Sequence, residues 1–536
     1  MKDIGLKIKI YLASLMVVMS GCDSFVEPAY VPEFPWTTVD QLEMAAILPY
    51  TAFTGGGWSE PQGVYAFYEC LATDIGSPIM QAVGNNPWNE FLNRMHREVP
   101  LEAGSMGWVK GAYEQLYACI AGANEPLAFL ETEDLGSLFP EDTGDKINTV
   151  VPRIKAELYF WRGFSYYWAA LWFCPPYVPG GANTDQILPL KVTNENPQDT
   201  PIGTTQEIWD QVIKDLTTAK SLMDKEYHIS GRVDYYTICG ALARAYFYMG
   251  NYEAAQKECD EIISSGKYSL PKNVMEAWTM PVGGTEPSEV IWMFNTSATG
   301  QLNYTYTSLS KSDAWGSGGG RGEHFSQCSW AFIKLSNAML KKINWVDDNM
   351  NPTKEALADS RFNNTWLYLK GYKGHDEVPE LTEAEWRDTY ESVWDQETIP
   401  HVYPDKFYRG ENPLQTNQPR MRISEFYLMR AATRFKLGDK NGAAADINVI
   451  RDRAGLSSIS GADITENDID REWVIELGGE GLYLSYLIGM QKPILPGDRV
   501  GVAAVNPPYE KWYFMIPIDE VRINAGYNGI EDPNQK

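Results

Sequence analysis

The sequence predicts a mostly helical protein: a helical-repeat scaffold carrying a large irregular, loop-rich insertion with short strands. Three observations predict it. Apolar residues recur at helical spacing through roughly 108–267 and again through 421–490. The stretch between, about 268–420, is rich in Gly, Pro, Asn and Trp and holds no sustained period. Each helical region also contains one copy of the same pattern, a glycine followed five residues later by alanine and then by two apolar residues on one helix face.

At the amino terminus, Lys2, Lys7 and Lys9 flank the start of an apolar run from Ile8 to Met19. Twelve residues at helical rise reach about 18 Å, short of the ~30 Å hydrocarbon core, so residues 1–21 read as a secretory signal and not as a spanning helix. Ser20, Gly21 and then Cys22 resemble a bacterial lipoprotein box, which makes Cys22 the lipidated residue and 22–37 an anchor and tether. A plain secretory site beside a chance cysteine is the alternative. Residues 38–536 read as one domain.

The 536 residues carry a formal charge of −26, which becomes about −28 once Lys2, Lys7, Lys9 and Asp3 leave with the signal. A nucleic-acid binder needs a basic face, and none is visible; Lys341 and Lys342 read as solvated helix surface. Beyond Cys22, six cysteines at 70, 119, 174, 239, 259 and 328 lack the close spacing of a zinc site or a disulfide scaffold. Cys119, Cys239 and Cys259 fall among apolar helical residues and read as small buried side chains. Trp and Tyr (18 and 31) far outnumber Phe (19), a balance suited to half-wet surfaces that offer flat apolar faces.

The stretch "RIKAELYFWRGFSYYWAALWF" from Arg153 is apolar nearly all round, so it belongs between other helices. "CPPYVPGG" ends it. Thr204 and Glu207 then have the spacing of a capping box, and Ile208, Val212 and Leu216 with Trp209 and Ile213 mark the apolar stripe of the next helix. In the repeated pattern, Gly250 precedes Ala255, Cys259 and Ile262, and Gly438 precedes Ala443, Ile447 and Ile450. Glycine ends one helix and the small alanine lets its partner approach, so the scaffold is tetratricopeptide-like. With such a separation in sequence, the repeats are interrupted and are not expected to form a tandem array.

Several blocks, in order, resemble the SusD/RagB family, the surface lipoproteins of Bacteroidetes nutrient-uptake systems. They are "CDSFVEP" at Cys22, a first helix in "TVDQLEMAAILPYTAF" from Thr38, and "YACIAGAN" ending at Asn124. Ala156, Glu157, Phe160, Arg162, Tyr166 and Leu171 follow the family's Ala-Glu-x-x-x-x-Arg helix. "EFYLMRAATRFKLGD", "IELGGEG" at 475–481 and "FMIPIDEVRIN" complete the series. Two positions depart from it: "CPPYVP" replaces a Gly-Asp-Val-Pro step, and Tyr483 and Tyr486 stand where the family places an Arg and an Asp.

No His-Glu-x-x-His, Gly-x-Ser-x-Gly or Walker loop is present, and the glycines of "WGSGGGRGEHF" lack dinucleotide-site spacing. His324 beside Glu323 reads as a surface histidine, and no Asp-x-Asp-x-Asp calcium loop appears. The sequence therefore points to binding without catalysis, cofactor or metal. A sugar offers apolar ring faces rimmed by hydroxyls, so its site needs flat Trp or Tyr faces with Asp, Asn or Arg beside them. Two segments supply that mixture. "TDIGSPIMQAVGNNPWNEFLNR" gives Asp74, Asn85, Trp88 and Arg94; "NTSATGQLNYTYTSLSKSDAWGSGGG" gives Asn295, Tyr304, Tyr306 and Trp315. The resemblance implies a glycan-binding lipoprotein on the cell surface, anchored in the outer membrane, that delivers its ligand to a SusC-like TonB-dependent transporter. An oligopeptide ligand in the same architecture, a surface glycoside hydrolase and a purely structural scaffold are the alternatives.

Overall fold

Thr38 opens the first helix by accepting the Gln41 amide on its hydroxyl, which satisfies one of the first-turn N–H groups that has no intrahelical partner. The computed structural model describes residues 36–54, 60–78, 107–131, 134–195, 199–295, 333–362, 364–370, 400–407, 417–498, 502–509 and 513–535. The single first helix expected from Thr38 is two, α1 (Val39–Ala45) and α2 (Leu48–Thr54), with Pro49 in the first turn of α2. Proline cannot donate to a preceding turn, so the break falls there. Next come α3 (Pro61–Ala72), capped by the Glu60 carboxylate, and the short strand β1 (Gly76–Pro78).

Helices α4 (Gly107–Glu131) and α5 (Gly144–Phe173) pack together, with a single helical turn at Leu135–Leu138 between them. Every residue of α5 from Phe160 to Phe173 is buried, as its all-round apolar sequence requires. The Cys174-Pro175-Pro176 step ends it. After the hairpin of β2 (Gln186–Pro189) and β3 (Ile202–Thr204), the expected capping box starts α6 (Thr205–Leu222): Glu207 N–H donates to Thr204 Oγ1 (3.2 Å) and Thr204 N–H to Glu207 Oε2 (2.8 Å). Gly163 lets α5 and α6 touch, because a Cβ there would sit 2.9 Å from that of Asp215.

The two predicted helix pairs are α7 (Tyr235–Tyr248) with α8 (Tyr252–Ser264), and, after the insertion, α11 (Ile423–Lys436) with α12 (Lys440–Arg453). Gly250 (φ 73°) and Gly438 (φ 88°) take the left-handed conformation that glycine adopts without steric cost. Asn251 and Asp439 then cap the second helices, and Ala255, Cys259, Ile262, Ala443, Ile447 and Ile450 are all buried. The separation in sequence does not keep the pairs apart. α8 packs on α11, so the stack runs α4, α5, α6, α7, α8, α11, α12 and the insertion loops out of it. Arg430 of α11 fastens the join, donating to Asp260 of α8 (2.8 Å) and to Asp446 of α12 (2.6 and 3.0 Å).

The insertion contributes β4 (Val290–Phe294), β5 (Ile333–Leu335), α9 (Asn337–Lys342), α10 (Lys354–Ala358), β6 (Trp366–Lys370), β7 (Pro400–Pro404) and β8 (Gln418–Arg422). The strands form antiparallel pairs, β1–β5, β4–β8 and β6–β7. Beyond α12 lie α13 (Glu466–Leu477), α14 (Tyr483–Gly489) and α15 (Ile518–Ile523). The tyrosines at the departure positions are well seated. Tyr486 stacks on Trp473 (ring centroids 4.3 Å apart) and donates to Asp470 (2.6 Å), while Tyr483 donates to Asp74 (3.0 Å).

One apolar core extends from Phe53 on α2 to Ile516, and a smaller one gathers Val39, Leu42, Leu127, Phe139 and Leu158. Buried charge clusters lock the layers. Arg162 on α5 forks onto Asp215 of α6 (2.7 and 2.8 Å) and reaches Asn124 of α4 (2.9 Å). Glu157, on the same helix, accepts from Arg153 (2.7 Å), Arg232 (2.9 and 3.0 Å) and the Tyr50 hydroxyl (2.6 Å). A larger hub ties the insertion to α13: Arg361, Lys406 and Arg422 meet Glu472, Glu476 and Glu480, with Glu289, Asp359, Arg451 and Arg453 around them.

A histidine makes one tie sensitive to pH. His228 bridges Asp234, the cap of α7 (3.0 Å), and Glu286, ahead of β4 (2.7 Å). The hydrogen bond to Asp234, resisted by burial and helped by Glu286, pushes its pKa up to about 9. Its contribution is full below the ordinary value near 6.5 and is lost as pH rises through about 9. The urea midpoint is expected to fall across that window, and the fall is expected to shrink in His228→Asn. An identical pH profile in the two proteins contradicts this.

Candidate ligand-bearing face

Of the residues expected to hold ligand, Asn85, Trp88, Arg94, Tyr304, Tyr306 and Trp315 lie outside the described residues, as does the lipidation residue Cys22. The described chain nevertheless shows where their segments are rooted. β1 and β5 run antiparallel with Gly76 opposite Leu335, Ser77 opposite Lys334 and Pro78 opposite Ile333. The first ring-bearing segment leaves the described chain directly after Pro78, and the second rejoins it at Ile333. Two stretches more than 200 positions apart in sequence are therefore rooted on paired residues. β7 lies alongside β5, and the β6–β7 hairpin sends out a further stretch between Lys370 and Pro400, themselves register partners.

The other root is equally well held. Asn295, the last described residue before the second segment, donates through Nδ2 to the Ser230 carbonyl (2.9 Å) and accepts from Asn417 Nδ2 (3.3 Å). Its amide lies against Gly231 (φ 79°), where a Cβ would come within 2.5 Å of Nδ2. Asn295 thus serves as a fastener. Behind it, Phe294 contacts Phe53 at the end of α2 (5.9 Å) and lies under the Arg420 guanidinium (4.7 Å).

Asp74 is corrected from ligand contact to internal anchor. It is only 3% exposed, and its carboxylate already accepts from Tyr483 Oη and from Lys342 Nζ (both 3.0 Å). Lys341 and Lys342 are both exposed on their helix, as expected, and Lys342 is in addition ion-paired to Asp74. No spacing rule could have revealed the pairing, because the partners are 268 positions apart. Glu69 also escaped sequence reading. Buried near the end of α3, it accepts the amides of Gly481 (3.0 Å), Tyr483 (2.7 Å) and Leu484 (3.1 Å) at the start of α14. Burial pushes its pKa up to about 8 against the pull of those amides.

Among the described residues, no group of three or more His, Cys, Asp or Glu side chains could hold a metal ion. Cys70, Cys119, Cys174, Cys239 and Cys259 are buried and unbridged, and burial raises each thiol above its usual pKa. No described helix is long and apolar enough to cross a membrane.

Comparison with known proteins agrees with this architecture. The SusD family model matches residues 288–484, and a second model, described as starch-binding associating with outer membrane, matches residues 83–247. No curated protein matches. Among solved structures, a SusD superfamily protein from Bacteroides thetaiotaomicron is 18% identical, with 91% of this chain and 98% of that one aligned at a TM-score of 0.67. A SusD-like carbohydrate binding protein from Bacteroides vulgatus is 17% identical over 85% and 84% of the two chains, at 0.60. Surface glycan-binding protein A from Bacteroides thetaiotaomicron, solved with laminarihexaose, is 18% identical over 93% and 100%, at 0.65. These structures share the fold, and the two family models fall in order on the two parts of the chain that carry its motifs. Residues 288–484 thus match the SusD family, on a chain that shares the fold of SusD superfamily structures.

Proposed function

We propose that the protein is a cell-surface lipoprotein that captures a polysaccharide or oligosaccharide and delivers it to a SusC-like TonB-dependent transporter in the outer membrane. The observation that supports the reading is the pairing of Pro78 with Ile333, the described residues after which the chain runs on toward Trp88 and to which it returns from Trp315. Flat rings from the two segments, with Asn85 and Arg94 among them, supply the apolar faces and polar groups that a sugar chain needs. A solved relative in fold holds laminarihexaose, and another is described as carbohydrate binding. Capture of this kind makes and breaks no bond.

The anchor contributes as well. From Cys22 to Trp36 an extended tether spans at most on the order of 45 Å. Confining the protein near a transporter raises the effective concentration of captured ligand there, so modest affinity is enough.

Affinity electrophoresis through gels containing laminarin, soluble starch, xylan or galactomannan tests the proposal. At least one polysaccharide is expected to retard the wild-type protein, and Trp88→Ala and Trp315→Ala are each expected to weaken retention about tenfold or more, the scale of losing a buried aromatic anchor. Unchanged retention in both variants removes the site assignment.

A further inference from the structure

One face of α3 carries the contact with the turn that leads into α14. Gln62 Nε2 donates to the Glu480 carbonyl (3.2 Å). Ala66 lies against Gly481 (φ 79°), where a Cβ would come within 3.1 Å of the Gln62 carbonyl oxygen and 3.3 Å of Ala66 Cβ. Glu69 accepts the Gly481 amide on Oε1 and the amides of Tyr483 and Leu484 on Oε2. Residues 62, 66 and 69 recur at helical spacing, and Tyr65 belongs to the same face. The ring of Tyr65 packs on Trp168 and Trp172, but its buried hydroxyl has no hydrogen-bond partner among the described residues.

Glu69 has no exposure, and burial outweighs the pull of the amides of Gly481, Leu482, Tyr483 and Leu484. The groups that feel its charge are Tyr65 and Cys70 on α3, Tyr167 on α5 and Tyr483 on α14. Burial raises each of them above its usual range, so all four are neutral at pH 8. The cations that act on these groups are engaged elsewhere: Lys406 with Glu480, Arg244 with Glu425 and Lys342 with Asp74. Asp74 and Asp470, which also bear on Tyr483, add only negative charge. A carboxylate at this joint therefore lacks a counter-ion, whereas a neutral carboxyl needs one acceptor for its O–H.

We propose that Glu69 is a proton-operated latch between α3 and α14, closed while the carboxyl is neutral and opened when the carboxylate draws water into the joint. In the closed form the O–H is directed to Tyr65 Oη through one buried water, which also satisfies that hydroxyl. The buried carboxyl holds its proton up to about pH 8, and a solvated glutamate only up to about 4.5. Closure is thus fully favoured below the solvated value and is lost progressively as pH rises through the buried one.

Hydrogen exchange of the full-length protein between pH 5.5 and 8.5, corrected for the intrinsic rate, tests the latch on peptides covering Gly481–Leu484, with peptides from α8 as reference. In the wild type, protection of Gly481–Leu484 relative to α8 is expected to fall at least about tenfold over that range. In Glu69→Gln, whose side chain cannot titrate, it is expected to stay level. Tyr65→Phe keeps the packed ring and removes the acceptor, so its fall is expected to level off at lower pH. Relative protection that is constant or rises with pH in the wild type overturns the latch, and so does a fall that persists unchanged in Glu69→Gln. Should Glu69→Gln not fold, wild type and Tyr65→Phe decide, and identical profiles in those two overturn the proposal.

Discussion

Arg422→Met is expected to lower the unfolding free energy by about 5 kcal/mol, the largest effect of any single change considered, because it removes one cation from a buried, balanced cluster. Arg422 is almost fully buried at the start of α11. Its guanidinium donates to Glu480 (2.7 and 3.2 Å), Glu476 (3.0 Å), Glu289 and the Glu476 carbonyl (3.2 Å). Taking it away leaves the carboxylates of Glu289, Asp359, Glu472, Glu476 and Glu480 to share Arg361, Lys406, Arg451 and Arg453, with one negative charge uncompensated away from water. Since whole-protein stabilities run about 5–15 kcal/mol, such a variant sits at the edge of folding. The measurement is the urea midpoint followed by far-ultraviolet circular dichroism at pH 7. Arg422→Lys keeps the charge but not the planar fork, and it is expected to recover part of the loss. A midpoint unchanged in Arg422→Met contradicts the account.

The hub also sets an acid limit. Burial would raise the Glu476 carboxyl, but Arg453, Arg422 and Arg361 together hold it well below the usual range. Stability from such a group is present above its ordinary value near 4.5 and is lost as pH falls through the lowered one. With Arg422 gone, that loss begins at higher pH, so the acid midpoint of Arg422→Met is expected to move up.

Arg162→Met is expected to cost about 3–5 kcal/mol for the same reason. Arg162 is the point where α4, α5, α6 and the chain at Val192 converge, and Asp215, its bidentate partner, has no exposure at all. The sharper expectation concerns the double variant. Arg162→Met with Asp215→Leu removes both charges, and it is expected to be more stable than Arg162→Met alone by at least about 2 kcal/mol, because the unpaired buried carboxylate is gone. Additive losses contradict the view that this pair acts as one unit.

These clusters explain which parts of the molecule the sequence disclosed. The motifs that carry the family likeness, Asn124, Glu157, Arg162, Glu476 and Glu480, are the buried polar groups that hold helices together. Their chemistry permits little substitution, and their spacing is helical, so they stand out. The helix-ending glycines Gly250 and Gly438 were legible because left-handed backbone selects glycine. The stacking of α8 on α11 was not legible, since contact across the excursion from Ser264 to Ile423 leaves no local period. Helix α3 was missed in the same way: Pro61 and Glu60 mark its start, but its faces are buried on several sides and show no stripe. At the ligand-bearing face the limit is different. Ring-bearing loops have no fixed spacing, and whether an aspartate such as Asp74 faces a sugar or a lysine 268 positions away is decided by tertiary contacts alone.

The central claim is that a stiff helical support presents flat rings to a glycan and returns it unaltered. Calorimetric titration of the purified protein with the polysaccharide that retards it most, followed by end-group analysis of the recovered polymer, tests that most directly. Saturable heat with no new reducing ends is the predicted result. Absence of binding to every polysaccharide tried, or chain ends that accumulate with time, contradicts it.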